Sequence, residues 1–177
     1  MKKYIFILAF TVIIPCFTVG QTAVPKDVLE RYMSVSYPLR SIVVTSPFGQ
    51  RRDPFTGRAS WHSGLDLKAR GDTVMAMLAG TVAKTGEDAR SGRFVTISHG
   101  TVTVSYCHLS VIMAREGDKV MAGEAVGVTG STGRSTGEHL HITCRYRGER
   151  VDPMLVIGFV RRVREECAAA LAQIRDS

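Results

Sequence analysis

The hexapeptide Gly71-Asp72-Thr73-Val74-Met75-Ala76 recurs as Gly117-Asp118-Lys119-Val120-Met121-Ala122, with five of six positions identical. Each copy leads into a run of small residues, Ala79-Gly80-Thr81-Val82 and Ala125-Val126-Gly127-Val128. Two copies of one β unit predict a pseudo-symmetric antiparallel sandwich or small barrel. The flanking sequence agrees. From Ser41 to Cys144 it is a series of short β-type runs (SIVVTS, TVMAML, GTVAKTG, FVTISHG, TVTVSYCHL, AVGVTG and HLHITCRY) separated by turn residues. The expected fold class is all-β, an antiparallel two-sheet sandwich or small barrel of duplicated β units, closed by a C-terminal helix.

The phrase GD-x-V-x-A also occurs in lipoyl- and biotinyl-type carrier barrels, so the repeat alone fits a carrier module. A carrier needs its modified lysine in a hairpin between the halves. Lys84 and Lys119 are the nearest candidates, and neither lies in a Met-Lys turn.

Residues 1–20 read as a secretory signal peptide: Lys2 and Lys3, an apolar region from Tyr4 to Val19, then Thr18-Val19-Gly20 before Gln21. The apolar run falls short of the roughly 20 residues of a spanning helix and Pro15 interrupts it, so no membrane span is expected after cleavage. Ile14-Pro15 does not supply the small residue that lipidation at Cys16 requires. The expected localisation is exported, to the periplasm, the cell wall or the extracellular space. The remainder, residues 21–177, suffices for one domain with a core. Within it, 21–40 read as a linker or strap with a brief amphipathic piece from Asp27 to Met33, 41–157 as the functional domain, and 158–177 as an amphipathic helix. Removing Lys2 and Lys3 lowers the formal charge of +7 to +5, which suits a polyanionic cell wall or outer leaflet. The basic residues are scattered without a recognition motif, so nucleic acid is not expected as a partner. Three cysteines remain, Cys107, Cys144 and Cys167, an odd number on which no disulfide framework can rest. Cys107 and Cys144 sit on the opposite strand parity from a neighbouring histidine. They are expected behind the site as buried hydrophobes, with a cross-strand disulfide as the alternative, and neither reads as a nucleophile.

Chemistry concentrates in Gly127–Cys144, GVTGSTGRSTGEHLHITC, a flexible loop feeding a strand. Residues two apart on a strand share a face, so His139 and His141 aim together while Leu140, Ile142 and Cys144 point away. A second group is Trp61-His62-Ser63-Gly64-Leu65-Asp66. Four residues of straight strand span roughly 13 Å, too far for one metal to touch both His62 and Asp66. Gly64 can supply the bend that joins them. The third is Tyr106-Cys107-His108-Leu109, where parity places His108 on the face of Val102, Val104 and Tyr106. His99, at a strand-to-turn junction, is read as structural.

Together, HxxxD at His62 and Asp66, YxHL around His108, and TGxSTGxHLH from Thr129 to His141 resemble the lysostaphin/LytM-type zinc endopeptidases that cleave peptide bridges in peptidoglycan. The run Ser46 to Arg51, Pro54, Gly57 and Val151-Asp152-Pro153 extend the resemblance over about residues 44 to 157. It implies that His62, Asp66 and His141 hold one zinc ion while His108 and His139 act on the substrate. Parity alone leaves open which of His139 and His141 is the ligand, and the assignment rests on the family. Such a site leaves a fourth corner for a water that can attack an amide carbonyl, with the two free histidines moving protons or stabilising the oxyanion. The family usually has an aromatic residue and then glutamate where this chain has Ile142 and Thr143, and a small residue or proline where it has Glu138.

The expected function is therefore an exported zinc endopeptidase acting on peptidoglycan stem or cross-bridge peptides. The alternative is a non-catalytic wall-binding or amidase-activating module on the same fold. The loops Lys84–Gly92 and Gly130–Gly137 are expected to rim a groove for an extended peptide, and Tyr106 either lines that groove or is buried. Phe159, Val160, Val163, Cys167, Leu171 and Ile174 recur at helical spacing after a basic start at Arg161, Arg162 and Arg164. That helix packs on the domain or offers a surface to a protein partner.

Overall fold

The computed structural model describes residues 25–175, so the expected signal peptide lies outside the described residues. The element order is α1 (Lys26–Met33), β1 (Val44–Ser46), β2 (Gly49–Arg52), β3 (Ala59–His62), β4 (Leu65–Lys68), β5 (Thr73–Met75), β6 (Gly80–Asp88), β7 (Gly92–His99), β8 (Val102–Leu109), β9 (Val111–Ile112), β10 (Lys119–Val120), β11 (Ala125–Val128), β12 (His139–Tyr146), β13 (Glu149–Val151) and α2 (Met154–Arg175).

The duplication sets the topology. One copy of the hexapeptide supplies β5 and leads to β6; the other supplies β10 and leads to β11. β5 pairs with β11 and β6 with β10, so each half completes its ladder with the other. Gly71 and Gly117 enter the two copies with φ of +64° and +89°, a left-handed conformation that a Cβ disfavours. The large sheet has the order β1-β4-β12-β8-β7-β6-β10, with β13 added beside β12; β5-β11-β9 form a small sheet and β2-β3 a separate hairpin.

One face of the large sheet is the core. Leu65 and Leu67 of β4, Val104 and Tyr106 of β8, and Leu140 and Ile142 of β12 are fully buried there. They join Val74 and Val126 of the small sheet and Val156, Val160 and Val163 of α2 in one cluster. Burying each such side chain contributes about 1.5–3 kcal/mol, so a one-residue slip of a central strand, which would turn its whole apolar set outward, is strongly disfavoured. The alternate residues of β4, β8 and β12 are thereby directed to the opposite face. Tyr106 belongs to the core: its hydroxyl accepts a hydrogen bond from the Met77 amide at 2.9 Å.

Residues following α1 cross the domain. Val35 and Leu39 are buried, Ser36 donates its amide to Met77 O at 2.8 Å, and Met75 donates to Pro38 O at 3.0 Å. α1 meets α2 through Arg31 and Glu166, and the Arg164 guanidinium lies 4.4 Å from the Tyr32 ring centroid. α2 begins at Met154, four residues before the expected start, because Asp152 accepts from the Met154 amide at 2.9 Å and Pro153 suits a helix entry. Phe159 departs from the expected apolar stripe: it is 43% exposed while Val160 is buried, because adjacent helical positions point about 100° apart. The expected loop Lys84–Gly92 is mostly strand. Thr85 pairs with Val95 and Glu87 with Arg93, leaving a turn at 89–91. No helix among the described residues is long and apolar enough to cross a membrane.

Candidate metal centre

β4 and β12 are neighbours with His141 and Asp66 as direct partners, so both side chains rise from the open face of the large sheet. Along β12, Leu140, Ile142 and Cys144 are buried in the core, and His139 and His141 stand together on the other side. His62 reaches the same point because the chain breaks between β3 and β4 at Ser63-Gly64. A Cβ on Gly64 would lie 2.5 Å from Ile142 O and 2.6 Å from His141 Cε1, so glycine there permits the close approach that brings His62 over β12.

Three donor atoms converge. His62 Nε2 lies 3.2 Å from His141 Nδ1 and 3.3 Å from Asp66 Oδ1, and His141 Nδ1 lies 2.6 Å from Asp66 Oδ1. The His62 Nδ1–H donates to Pro47 O at 2.8 Å, which leaves a lone pair on Nε2. That lone pair and the Asp66 oxygen then face each other as two acceptors, an arrangement that repels unless a cation lies between them. Tetrahedral zinc with bonds of 2.0–2.1 Å places its ligand atoms about 3.3 Å apart. The donor set therefore fits zinc in chemistry, and the two distances from His62 Nε2 fit it in spacing, while His141 Nδ1 and Asp66 Oδ1 stand at hydrogen-bond distance, closer than two ligands of one zinc ion. A second set of three donors, His108, His139 and His141, also falls within 4.8 Å and shares His141 with the first.

His108 arrives by a route that parity does not describe. Its φ is +61°, and its amide donates to Ser91 O at 2.8 Å. This left-handed residue inverts the alternation at the end of β8, so His108 leaves the core face of Val104 and Tyr106 and joins the metal-side face. The expectation that Cys107 lies behind the site is overturned by the same register: Cys107 is the partner of His141 and lines the groove, whereas Cys144 is in the core. All three described cysteines are free, and two that point to opposite faces cannot bridge.

His108 and His139 are held alike. Their Nδ1–H groups donate to Thr132 O at 2.7 Å and Gly137 O at 2.8 Å, which turns each Nε2 toward the centre; His139 Nε2 is 3.5 Å from Asp66 Oδ1. Burial opposes the charge on Asp66, yet the surrounding imidazoles of His139, His141 and His62 hold its carboxyl well below the usual range. Burial pushes His108 down to about 4 and also lowers His141. For His139 burial acts downward too, but the Asp66 carboxylate and the Gly137 carbonyl raise it overall. His99 lies apart, its Nδ1–H on Ala79 O at 2.9 Å.

The centre sits in a groove of about 540 Å³. One wall is the 134–138 loop and another the 90–91 turn, close to the expected rims. A third wall, the β2–β3 hairpin with Phe55 and Trp61, has no counterpart among the sequence expectations. Arg134 clasps Asp53 of that hairpin at 3.0 and 2.8 Å. Arg51 is a further functional group that sequence reasoning misses: it holds Asp66 Oδ2 at 3.0 Å and Ser46 Oγ at 2.6 Å. Only its place in the run Ser46–Arg51 marks it in the sequence.

A family model described as peptidase family M23 matches residues 60–153. An uncharacterized metalloprotease of Haemophilus influenzae is 41% identical over 125 residues, 68% of this chain and 26% of that protein. The DD-carboxypeptidase/endopeptidase Mpg of Neisseria meningitidis is 40% identical over 121 residues, 67% of this chain and 28% of that protein. The chain thus spans about a quarter of the length of the curated relatives it matches. A solved zinc-containing peptidase of Vibrio cholerae superposes with a TM-score of 0.60 and 32% identity, covering 70% of this chain and 38% of its own.

Proposed function

The chain belongs to peptidase family M23, and from that premise we propose that it is an exported, zinc-dependent endopeptidase hydrolysing peptide bonds in the stem or cross-bridge peptides of peptidoglycan. The observation that carries the proposal is the convergence of His62 Nε2, Asp66 Oδ1 and His141 Nδ1 on one point at the floor of an open groove. These three residues hold the metal, and Arg51 keeps Asp66 oriented through its second oxygen. Zinc bound there supplies Lewis acidity, which polarises a scissile carbonyl and makes water nucleophilic near neutral pH.

His108 and His139 complete the reaction from the open side. Each is anchored by its Nδ1–H, so Nε2 is the atom that exchanges a proton with the attacking water or the leaving amine, or donates to the developing oxyanion. The groove accepts an extended chain, whose backbone the small residues Ser135, Thr136 and Gly137 of the 134–138 wall can approach closely. Retention of all five site residues favours this reading over a wall-binding or amidase-activating module.

The test is zinc content beside hydrolysis of purified sacculi. About one zinc per chain, activity lost on chelation and regained on zinc addition are expected. Hydrolysis that survives complete metal removal, or a zinc-loaded chain inert on sacculi of several chemotypes, overturns the proposal.

A further inference from the structure

The open face of the large sheet continues beyond the metal centre in registered rows. Thr143, Ser105 and Thr96 are direct partners across β12, β8 and β7, and the Thr96 and Ser105 hydroxyls are 2.8 Å apart. One step further, Arg145 and Arg150 are partners across β12 and β13. His141, Thr143 and Arg145 alternate onto one face, so the arginine pair begins roughly 13 Å from His141 along the strand. Arg90 enters the same groove from the β6–β7 turn, and Arg150 lines it beside the hydroxyl row.

These cations are unlike the others in the groove. Arg51 is neutralised by Asp66 and Arg134 by Asp53. Lys68 stands singly, across from His139. Among the described residues, no carboxylate is in ion-pair contact with Arg90 or Arg150. Arg90 and Arg150 are exposed at the groove, and slight desolvation together with the neighbouring charges of Arg145 and Arg90 lowers the affinity of Arg150 for its proton. Like charges gathered over a floor of hydroxyl groups are relieved by an anion, and a guanidinium matches a carboxylate in bidentate geometry.

We propose that Arg150 and Arg90, above the Thr143–Ser105–Thr96 row, form a subsite that recognises a free carboxylate on the peptide substrate, to one side of the bond cleaved at the metal centre. This specificity rests on the peptidase reading of the same groove. It makes the preferred substrate a peptide with an unmodified carboxylate and a poorer one of the same peptide with that group as a carboxamide.

The experiment compares two synthetic cross-linked stem peptides that differ only in carboxylate against carboxamide. The full chain, with its zinc content verified, is assayed beside Arg150→Ala, Arg150→Lys and the Arg90→Ala/Arg150→Ala double variant. The native protein should prefer the carboxylate peptide by about tenfold to a hundredfold in kcat/KM, mainly through KM. That ratio should fall toward one in the double variant and recover in part with lysine. A native protein that treats the two peptides alike, or a double variant that keeps the preference, overturns the subsite while leaving the peptidase reading intact. If neither peptide is cleaved, the failure lies with the peptidase reading, and calorimetric titration of the same pair decides the subsite: tighter binding of the carboxylate supports it and equal binding overturns it.

Discussion

Arg51 Nη1 lies 3.0 Å from Asp66 Oδ2, while Oδ1 of the same carboxylate lies 2.6 Å from His141 Nδ1. The guanidinium thus divides the carboxylate, fixing one oxygen and leaving the other, the proposed metal ligand, directed at the histidines. Partners of this kind usually change metal affinity by about 10–100-fold. Arg51→Met should therefore lose zinc to a competing chelator at a correspondingly lower concentration, and Arg51→Lys should fall between it and the native protein. Equal zinc retention in all three would show that Asp66 needs no such anchor.

The histidines should separate into two kinds. His141→Ala leaves two of the three proposed ligands and should lose zinc and activity together. His108→Asn keeps a residue type that tolerates the left-handed backbone, leaves the proposed ligands whole, and should retain zinc while losing about 10²–10⁴-fold in catalysis. Bound zinc and sacculus hydrolysis, measured on both, decide it. Metal lost from His108→Asn and kept by His141→Ala would reverse the roles.

Cys107 and Cys144 should behave differently from each other. Burial pushes both thiols up to about 12, so neither should react with iodoacetamide at pH 8 until the protein is unfolded. Cys144→Ser places a hydroxyl in the apolar core and should cost about 1–3 kcal/mol in urea unfolding. Cys107→Ser, near Ser91 at the groove, should cost less and leave hydrolysis in place. A larger loss at Cys107 would contradict the assignment of faces.

His99 should give stability a pH dependence unrelated to the metal. Its Nε2 is buried without a partner, and burial lowers its pKa below the ordinary value of 6.5 despite the Ala79 carbonyl. Between the folded and unfolded values the unfolded chain binds more protons, so the contribution is complete above about pH 6.5 and is lost as the pH falls. Urea unfolding of the zinc-free protein from about pH 7 to 5 should show a smaller decline for His99→Leu than for the native chain. Parallel declines would remove His99 from the account.

The sequence by itself determined the features that local periodicity and chain order dictate. The duplicated hexapeptide specified two interchangeable β units, and period-two alternation placed His139 and His141 on one face because Leu140, Ile142 and Cys144 had to enter the core. Gly64 was legible as the bend that joins His62 to Asp66. The tertiary structure decided the features that depend on pairing between distant strands or on one unusual backbone angle. His108 crosses to the metal face only because its φ is positive, an exception to alternation held by Ser91 and Thr132 from other elements. Cys107 faces the groove because it is registered against His141, and Arg51 reaches Asp66 because β2 folds back beside the centre. Arg90 and Arg150 share a groove despite lying far apart in the chain. Such contacts are fixed by the burial of the whole sheet, which no short stretch of sequence records.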